Sequence, residues 1–593
     1  MTATAAEVTT AEEESRGSLL KILGALTARQ SFKMEAGAGA GKTHSLIDTL
    51  QHILRNRSDF LPREGQRVAC ITYTNVARNE ITRRTDASPH IFAETIHGFL
   101  WEAISPFSKF LLAEVPDLPS WARLVDGDKS LAGCSVSYDL GFRRIKEDVI
   151  SLHHDDIPAL AMRMFSNKKF RSLVADRFPI ILVDEYQDTP SGLAEAFLGE
   201  QPEAPGATYG FFGDHWQQIF DKTCGSIDHL PLVHVMKRAN WRSSQAVVSF
   251  LNCMRPELPQ APVSAADVGS VTIYHTNNWA GPRGTHSKKG QIPEHVIKAT
   301  LQWVSKAAQN RHQGVEATGR PKTLMLTHSS IATELGFVNI DRCFARNEDF
   351  VRKNDDVVAF LLDLVEPCCD YFASKQYGPM FDLLKRSRPR MRGRSDKTGW
   401  MDLFRVLNDA RNAGTVGDVL DVLLKQEYFS VPHAVVSRDR NWRSALRELS
   451  DGQTLNEPRR LVEYGNFRGV SYLEVLALRD YVEENTPFST QHGVKGAEYP
   501  NVLAVFGGGW TQYNFADMLA KFATRDDLSE RDRKRFEKSR NLFYVACSRA
   551  MNDLTILFTT ELSHSALQTL REWAGESNVM GISFSPDGSP LDQ

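Results

Sequence analysis

The chain alternates short, continuous apolar runs with longer stretches in which apolar residues recur every three or four positions. The runs at Arg67–Thr72, Ile180–Val183, Thr208–Phe212 and Leu232–Val235 predict buried strands. A second set follows at Val271–Tyr274, Thr323–Leu326, Asn501–Phe506 and Leu554–Phe558. Strands apolar on both faces need cover on both faces, so this pattern predicts parallel sheets flanked by helices. Two clusters of runs predict two α/β cores. The first spans residues 18–100 and 171–260, the second 261–345 and 479–575. The stretches 101–170 and 346–478 lack such runs and predict mainly helical insertions, one in each core. Residues 1–17 and 576–593 read as tails, the first of them disordered.

Composition narrows the class. The 593 residues carry 70 basic and 73 acidic side chains, a net charge of −3, with 42% hydrophobic residues. This is globular composition and excludes a disordered or collagenous chain. It also excludes a uniformly basic nucleic-acid coat, while leaving room for a basic cleft on a neutral body. The eight cysteines form no C-x-x-C pair, which predicts reduced thiols rather than a disulfide framework or a zinc ribbon. The polar N-terminus and the lack of a run of about 18 apolar residues predict a cytoplasmic protein with no membrane span. Residues 385–397 hold seven basic residues and one acid, and read equally as a solvated loop or a phosphate-backbone contact.

Candidate chemistry begins at Ala36-Gly37-Ala38-Gly39-Ala40-Gly41-Lys42-Thr43. A predicted strand (Phe32 to Glu35) precedes it and a helical pattern (His44 to Leu54) follows, the context a P-loop requires. The small residues let backbone N–H groups approach phosphate oxygens at a helix N-terminus. Lys42 would reach the β- and γ-phosphates of ATP, and Thr43 would ligate Mg²⁺. In Ile180–Thr189, four apolar residues lead into Asp184 and Glu185 at a strand's C-terminal end, where ligands sit on open α/β sheets. Asp184 would hold Mg²⁺, and Glu185 would orient and deprotonate the attacking water.

These motifs continue in a fixed order, and the chain resembles the superfamily 1A DNA helicases of the UvrD/Rep/PcrA-like kind over about residues 19–570. The resemblance is carried by AGAGAGKT, CITYTNVARNEI (70–81), TIHGF (95–99), VDEYQDT (183–189) and FFGDHWQQIF (211–220). NWRSS (240–244), STQHGVKGAEYPNV (489–502) and RNLFYVACSRA (540–550) complete the series. It implies two RecA-like P-loop cores. Gly37, Gly39, Ala40 and Gly41, with Lys42 and Thr43, would bind the triphosphate, and Glu498 would contact nucleotide from the second core. Gln187 and Gln217 would sense the γ-phosphate, and Arg242 and Arg549 would act as arginine fingers. Thr72, Tyr73, Asn75, His97, Phe99, Phe220 and Thr490 fall where the family contacts single-stranded DNA. Base faces stack on aromatic rings whatever their sequence. The segment His153–Asp156 has ligand-type residues, but four adjacent residues cannot readily surround one ion, and it fits a family segment before the acidic motif. Gln30 lies six residues before Ala36, too close to act as the family's upstream adenine-reading glutamine.

Two function classes remain open. One is an ATP-driven 3′→5′ translocase or helicase on single-stranded or tailed DNA. The other is a DNA- and nucleotide-sensing ATPase that controls a partner nuclease, as in Gabija-type anti-phage systems with an OLD-family nuclease. A small-molecule P-loop kinase finds no support beyond the loop itself. No nuclease carboxylate series is present.

Overall fold

A computed structural model describes residues 10–591 apart from 126–130, 132, 139–142, 147, 200–205, 264–266, 311–319, 385–392, 449–457 and 509–510. In the first core, β1 (Phe32–Ala36), β2 (Val68–Thr72) and β3 (Ile91–Thr95) come before an insertion. The insertion holds β4 (Ser135–Tyr138), β5 (Arg144–Lys146) and β6 (Val149–Leu152). The core resumes with β7 (Ile180–Asp184), β8 (Thr208–Gly213) and β9 (Val233–Lys237). A short pair, β10 (Ala239–Asn240) and β11 (Ala261–Pro262), bridges to the second core. That core contains β12 (Ser270–His275), β13 (Lys322–Met325), β14 (Phe488–Thr490), β15 (Tyr499–Phe506), β16 (Ala550–Phe558) and β17 (Val579–Gly581).

Both main sheets are six-stranded, in the orders β3-β2-β7-β8-β1-β9 and β14-β13-β15-β16-β12-β17. Every pairing in them is parallel. Numbered within its own core, each sheet runs 3-2-4-5-1-6, so one topology occurs twice in one chain. The residues of β1, β2 and β7 are buried at every position, which is why β2 and β7 read as apolar runs, while β1 buries Lys33 and Glu35 between its apolar residues. The two long insertions leave the repeat at different points, after the third strand of the first core and after the second strand of the second.

Four sequence expectations change. The disordered tail over residues 1–17 gives way at Ala11 to α1 (Ala11–Thr27). A capping box starts that helix: Glu13 N–H donates to the Thr10 hydroxyl (3.3 Å), and Thr10 N–H donates to the Glu13 carboxylate (3.0 Å). Its polar first turn disguised it, yet Ala11, Ser18 and Ile22 are buried. The tail over 576–593 supplies β17, which pairs with β12. The helical insertion over 101–170 also contains the small sheet β4-β6-β5, whose strands are too short and polar to stand out. The helix Gln245–Met254, assigned above to the first core, buries Val247, Phe250 and Leu251 in an apolar cluster shared with β12, β15 and β16.

The basic segment 385–397 lies outside the described residues as far as residue 392, and its end begins the helix Arg394–Ala413. All eight cysteines are free. Among the described residues, no helix is long and apolar enough to cross a membrane.

Candidate active site

The loop after β1 leads into α2 (Lys42–Arg55). Gly39 and Gly41 both have φ of 73°, a left-handed conformation that costs a side-chain-bearing residue energy. At Gly39 a Cβ would also lie 2.7 Å from the Asn240 side chain. Gly37 has the Gln260 amide packed against it, and Ala40 N–H donates to the Gly37 carbonyl (3.2 Å). Thr43 sits half-buried in the first turn of α2.

Asp184 ends β7, and Glu185 follows in a left-handed conformation with φ of 49°. Lys42 Nζ donates to Glu185 Oε2 (2.9 Å), and Gln187 Nε2 donates to the same oxygen (2.6 Å). Burial raises the pKa of both acids. At Glu185, Lys42 and then Lys495 overcome it and hold the group below the usual carboxylate range. At Asp184, the adjacent Glu185 charge adds to burial and pushes the group above that range. Lys42 is buried too, but Glu185 holds its pKa up and keeps it charged. The site thus holds an ionised base beside a carboxyl short of positive partners, a donor set that suits a divalent cation.

A polar chain runs outward from this pair. Asp214 N–H donates to the Gln187 side-chain oxygen (3.0 Å), and Gln217 Nε2 donates to Asp214 Oδ2 (2.8 Å). Lys495, from the second core, donates to Asp188 (2.5 Å) and to the Gln217 carbonyl (2.6 Å). The same ammonium lies 5.4 Å from the centre of the Phe220 ring. Phe220 stacks on Tyr73, with ring centres 6.0 Å apart and planes 21° apart, and both rings are exposed. Nucleotide-loop residues, both glutamines and an exposed aromatic pair therefore belong to one connected network.

Gly213, the last residue of β8 and next to Asp214, makes this network possible. A Cβ there would lie 2.3 Å from the Gln187 side-chain oxygen and 2.5 Å from the Tyr186 ring. Gly213→Ala is expected to destabilise the fold by about 1–3 kcal/mol, read as a lower Tm, and to raise the KM for ATP by displacing Gln187.

The second core closes on the loop through the helix Glu530–Cys547. Ala38 N–H donates to the Tyr544 hydroxyl (3.0 Å). Asn541 donates to the carbonyls of His215 and Gln218, and Arg540 lies 3.9 Å from the centre of the Trp216 ring. Arg242 forms an ion pair with Glu498 (2.9 Å) and donates to the Ser548 carbonyl. Arg549 is buried and donates to the carbonyls of Val545 and Ala497 and to the Ser548 hydroxyl. Burial, and then the Arg242 charge, lower its pKa to about 9.

Several expected DNA contacts have a different setting. Phe99 is buried against Phe92, Phe178 and Phe197, so it is a core residue and not a base platform. Its place two residues after His97, on the inner face of a helix, explains the correction. Thr72 donates its hydroxyl to the Thr74 carbonyl, and the Thr490 hydroxyl accepts from Gly493 N–H; both side chains are buried. Asn75 is exposed at the start of its helix. His97 stacks on His154, with ring centres 3.3 Å apart.

Asp156, from the histidine–aspartate segment, is held by Arg143, Trp121 and Ser120, which is a structural role. The sequence reading missed Trp241, whose exposed indole lies beside Gly41 and donates to the Ser15 hydroxyl of α1 (3.0 Å). It also missed Glu35, His215 and Arg255. These three form a cluster behind Gln217, with Glu35 and Arg255 buried and His215 half-buried, in which Arg255 pairs with both Glu35 (2.8 Å) and Asp214 (2.6 Å). Arg255 occupies the charge that a metal would need there.

Fold, motif order and site define a two-core P-loop architecture with the features of a helicase-type ATPase, and the chain is similar to the UvrD-like helicases. Residues 21–221 match the family described as an AAA domain. The Gabija protein GajB of Bacillus cereus (strain HuB5-5) is 21% identical over 709 residues, covering 95% of this chain and 98% of that protein.

Proposed function

We propose that the chain is an ATP-driven motor that tracks 3′→5′ on single-stranded or tailed DNA and serves a Gabija-type antiviral system. The observation that carries this reading is the unbroken polar path from Lys42 to the exposed Tyr73–Phe220 pair. Such a path lets occupancy at one end alter grip at the other.

ATP binds between the cores. Lys42 leaves Glu185 for the phosphates, and Glu185, still ionised, is then free to orient and deprotonate water. Thr43 and Asp184 would hold Mg²⁺, which when bound neutralises charge on the phosphate oxygens. Gln187 and Gln217 sit where a γ-phosphate changes their hydrogen bonds. Arg242 and Arg549 approach from the far side, and Glu498 steers Arg242 until nucleotide displaces it. Closing tightens the contact that Lys495 already makes with the Gln217 carbonyl, and release relaxes it. Alternating grip of this kind converts hydrolysis into steps.

The test is steady-state ATPase with and without single-stranded DNA, followed by unwinding of 3′- and 5′-tailed duplexes. Strong stimulation and a 3′-tail preference are expected; equal unwinding of both tails overturns the polarity. Phe220→Ala should raise the DNA concentration for half-maximal stimulation roughly 5–100-fold, the loss of about 1–3 kcal/mol of stacking, and leave DNA-free turnover unchanged.

A second reading is favoured by the near full-length likeness to the Gabija protein GajB. In it the chain is a DNA- and nucleotide-sensing regulator of a partner nuclease of the OLD type. It predicts an isolated chain with little DNA-stimulated turnover, restored when the partner is added.

A further inference from the structure

Lys237, the last residue of β9, is 1% exposed, and its backbone lies beside Ala36 at the root of the phosphate loop. Its Nζ donates to the Gly41 carbonyl (3.1 Å) and to the Ser45 hydroxyl (2.7 Å). Gly41 is the N-cap of α2, and its carbonyl also accepts the first helical bond from Ser45 N–H (3.1 Å). A buried ammonium therefore straps the first turn of the helix whose N–H groups face the ligand.

This placement is electrostatically unfavourable on its own. A helix N-terminus is the positive end of the macrodipole and disfavours a cation. Lys42, the residue after Gly41, adds a second positive charge. The charge acting on Lys237 is Asp48, one turn further along α2, and Asp48 is shared with His44 (3.4 Å). His44 in turn contacts Arg84. A buried cation in this position is relieved by a multiply charged anion on the loop. Its pKa follows the same logic: burial lowers it to about 8, against a weak opposing pull from Asp48.

We propose that Lys237 is a second lysine of the phosphate site, a positioning residue that holds Gly41 and Ser45 so that the amides of the loop and of α2 converge on a nucleoside triphosphate. The proposal rests on the reading of this loop as a triphosphate site. Lys237 acts in its charged form. Its folded pKa lies below the ordinary lysine value, so the charge is present below about pH 8 and is lost above it. A bound triphosphate raises that pKa, so binding near pH 8 takes up a proton.

The experiment is calorimetric titration of the full chain with a non-hydrolysable ATP analogue and Mg²⁺ at pH 7, 8 and 9, each in two buffers of different ionisation enthalpy. The unaltered protein should take up about half a proton at pH 8 and lose up to about fivefold in affinity between pH 8 and 9. Lys237→Arg should bind with near-normal affinity, without that proton uptake and with a flat profile to pH 9. Lys237→Met should weaken binding about tenfold at pH 7 and raise KM with kcat nearly unchanged, the loss of a charge-assisted strap. Proton uptake that persists in Lys237→Arg overturns the proposal, as does unchanged binding by Lys237→Met. If Lys237→Met does not fold, the Lys237→Arg profile alone decides. Lys42→Ala separates the two levels: unchanged binding in that variant sinks the triphosphate reading itself.

Discussion

Glu185→Gln should lower ATP turnover by roughly 10²–10⁴ while nucleotide still binds, because the substitution removes a base and keeps a side chain of the same size. Glu185 is suited to the role by its surroundings. Lys42 and Lys495 keep it ionised despite burial, and Gln187 holds its orientation. The glutamine cannot accept the proton of water. It also lacks the charge that ties Lys42, so affinity for ATP should hold or rise. Rapid-quench turnover beside analogue binding checks both parts, and hydrolysis at the original rate would remove Glu185 from the mechanism.

Arg549→Lys should cost about 10³–10⁵ in kcat if its guanidinium stabilises charge developing on the γ-phosphate. Lysine keeps the charge but not the planar fork, so it cannot donate to two oxygens at once. In the state described, Arg549 donates to Val545, Ala497 and Ser548 rather than facing the loop. Its charge is destabilised there by burial and by Arg242, which favours its release toward an arriving phosphate. The measurement is single-turnover hydrolysis with saturating single-stranded DNA, alongside Tm. A large rate loss at unchanged Tm supports the finger role. Parallel losses in rate and Tm would make Arg549 a structural residue.

The sheets were legible in the sequence because their strands are buried on both faces. β2, β7, β8, β15 and β16 appear as apolar runs for that reason. β14 and β17 have only three residues each and carry little pattern of their own; their partners position them. The same contrast holds at the site. Lys42, Asp184 and Glu185 lie within strand–turn–helix motifs whose chemistry is local. Lys237 reaches the loop, and Arg255 the Glu35–Asp214 cluster, only through tertiary packing, and nothing in their immediate sequence marks them; Trp241 sits within the NWRSS motif, but its place beside Gly41 is likewise set by packing. Phe99 was misread because its residue type suits a stacking platform as well as a core, and only burial separates the two.

The second sheet also imposes an order of events on a growing chain. β12 is synthesised early in its core and pairs on one side with β16 and on the other with β17, among the last strands to emerge. Until those residues leave the ribosome, β12 has no partner, and its unpaired N–H and C=O groups form a template for pairing with another chain. The repeated strand order makes the exposure more hazardous, because the edge of one core resembles a place in the other. Pairing of β16 and β17 with β12, rather than synthesis of the catalytic loop, is therefore the step that removes this template.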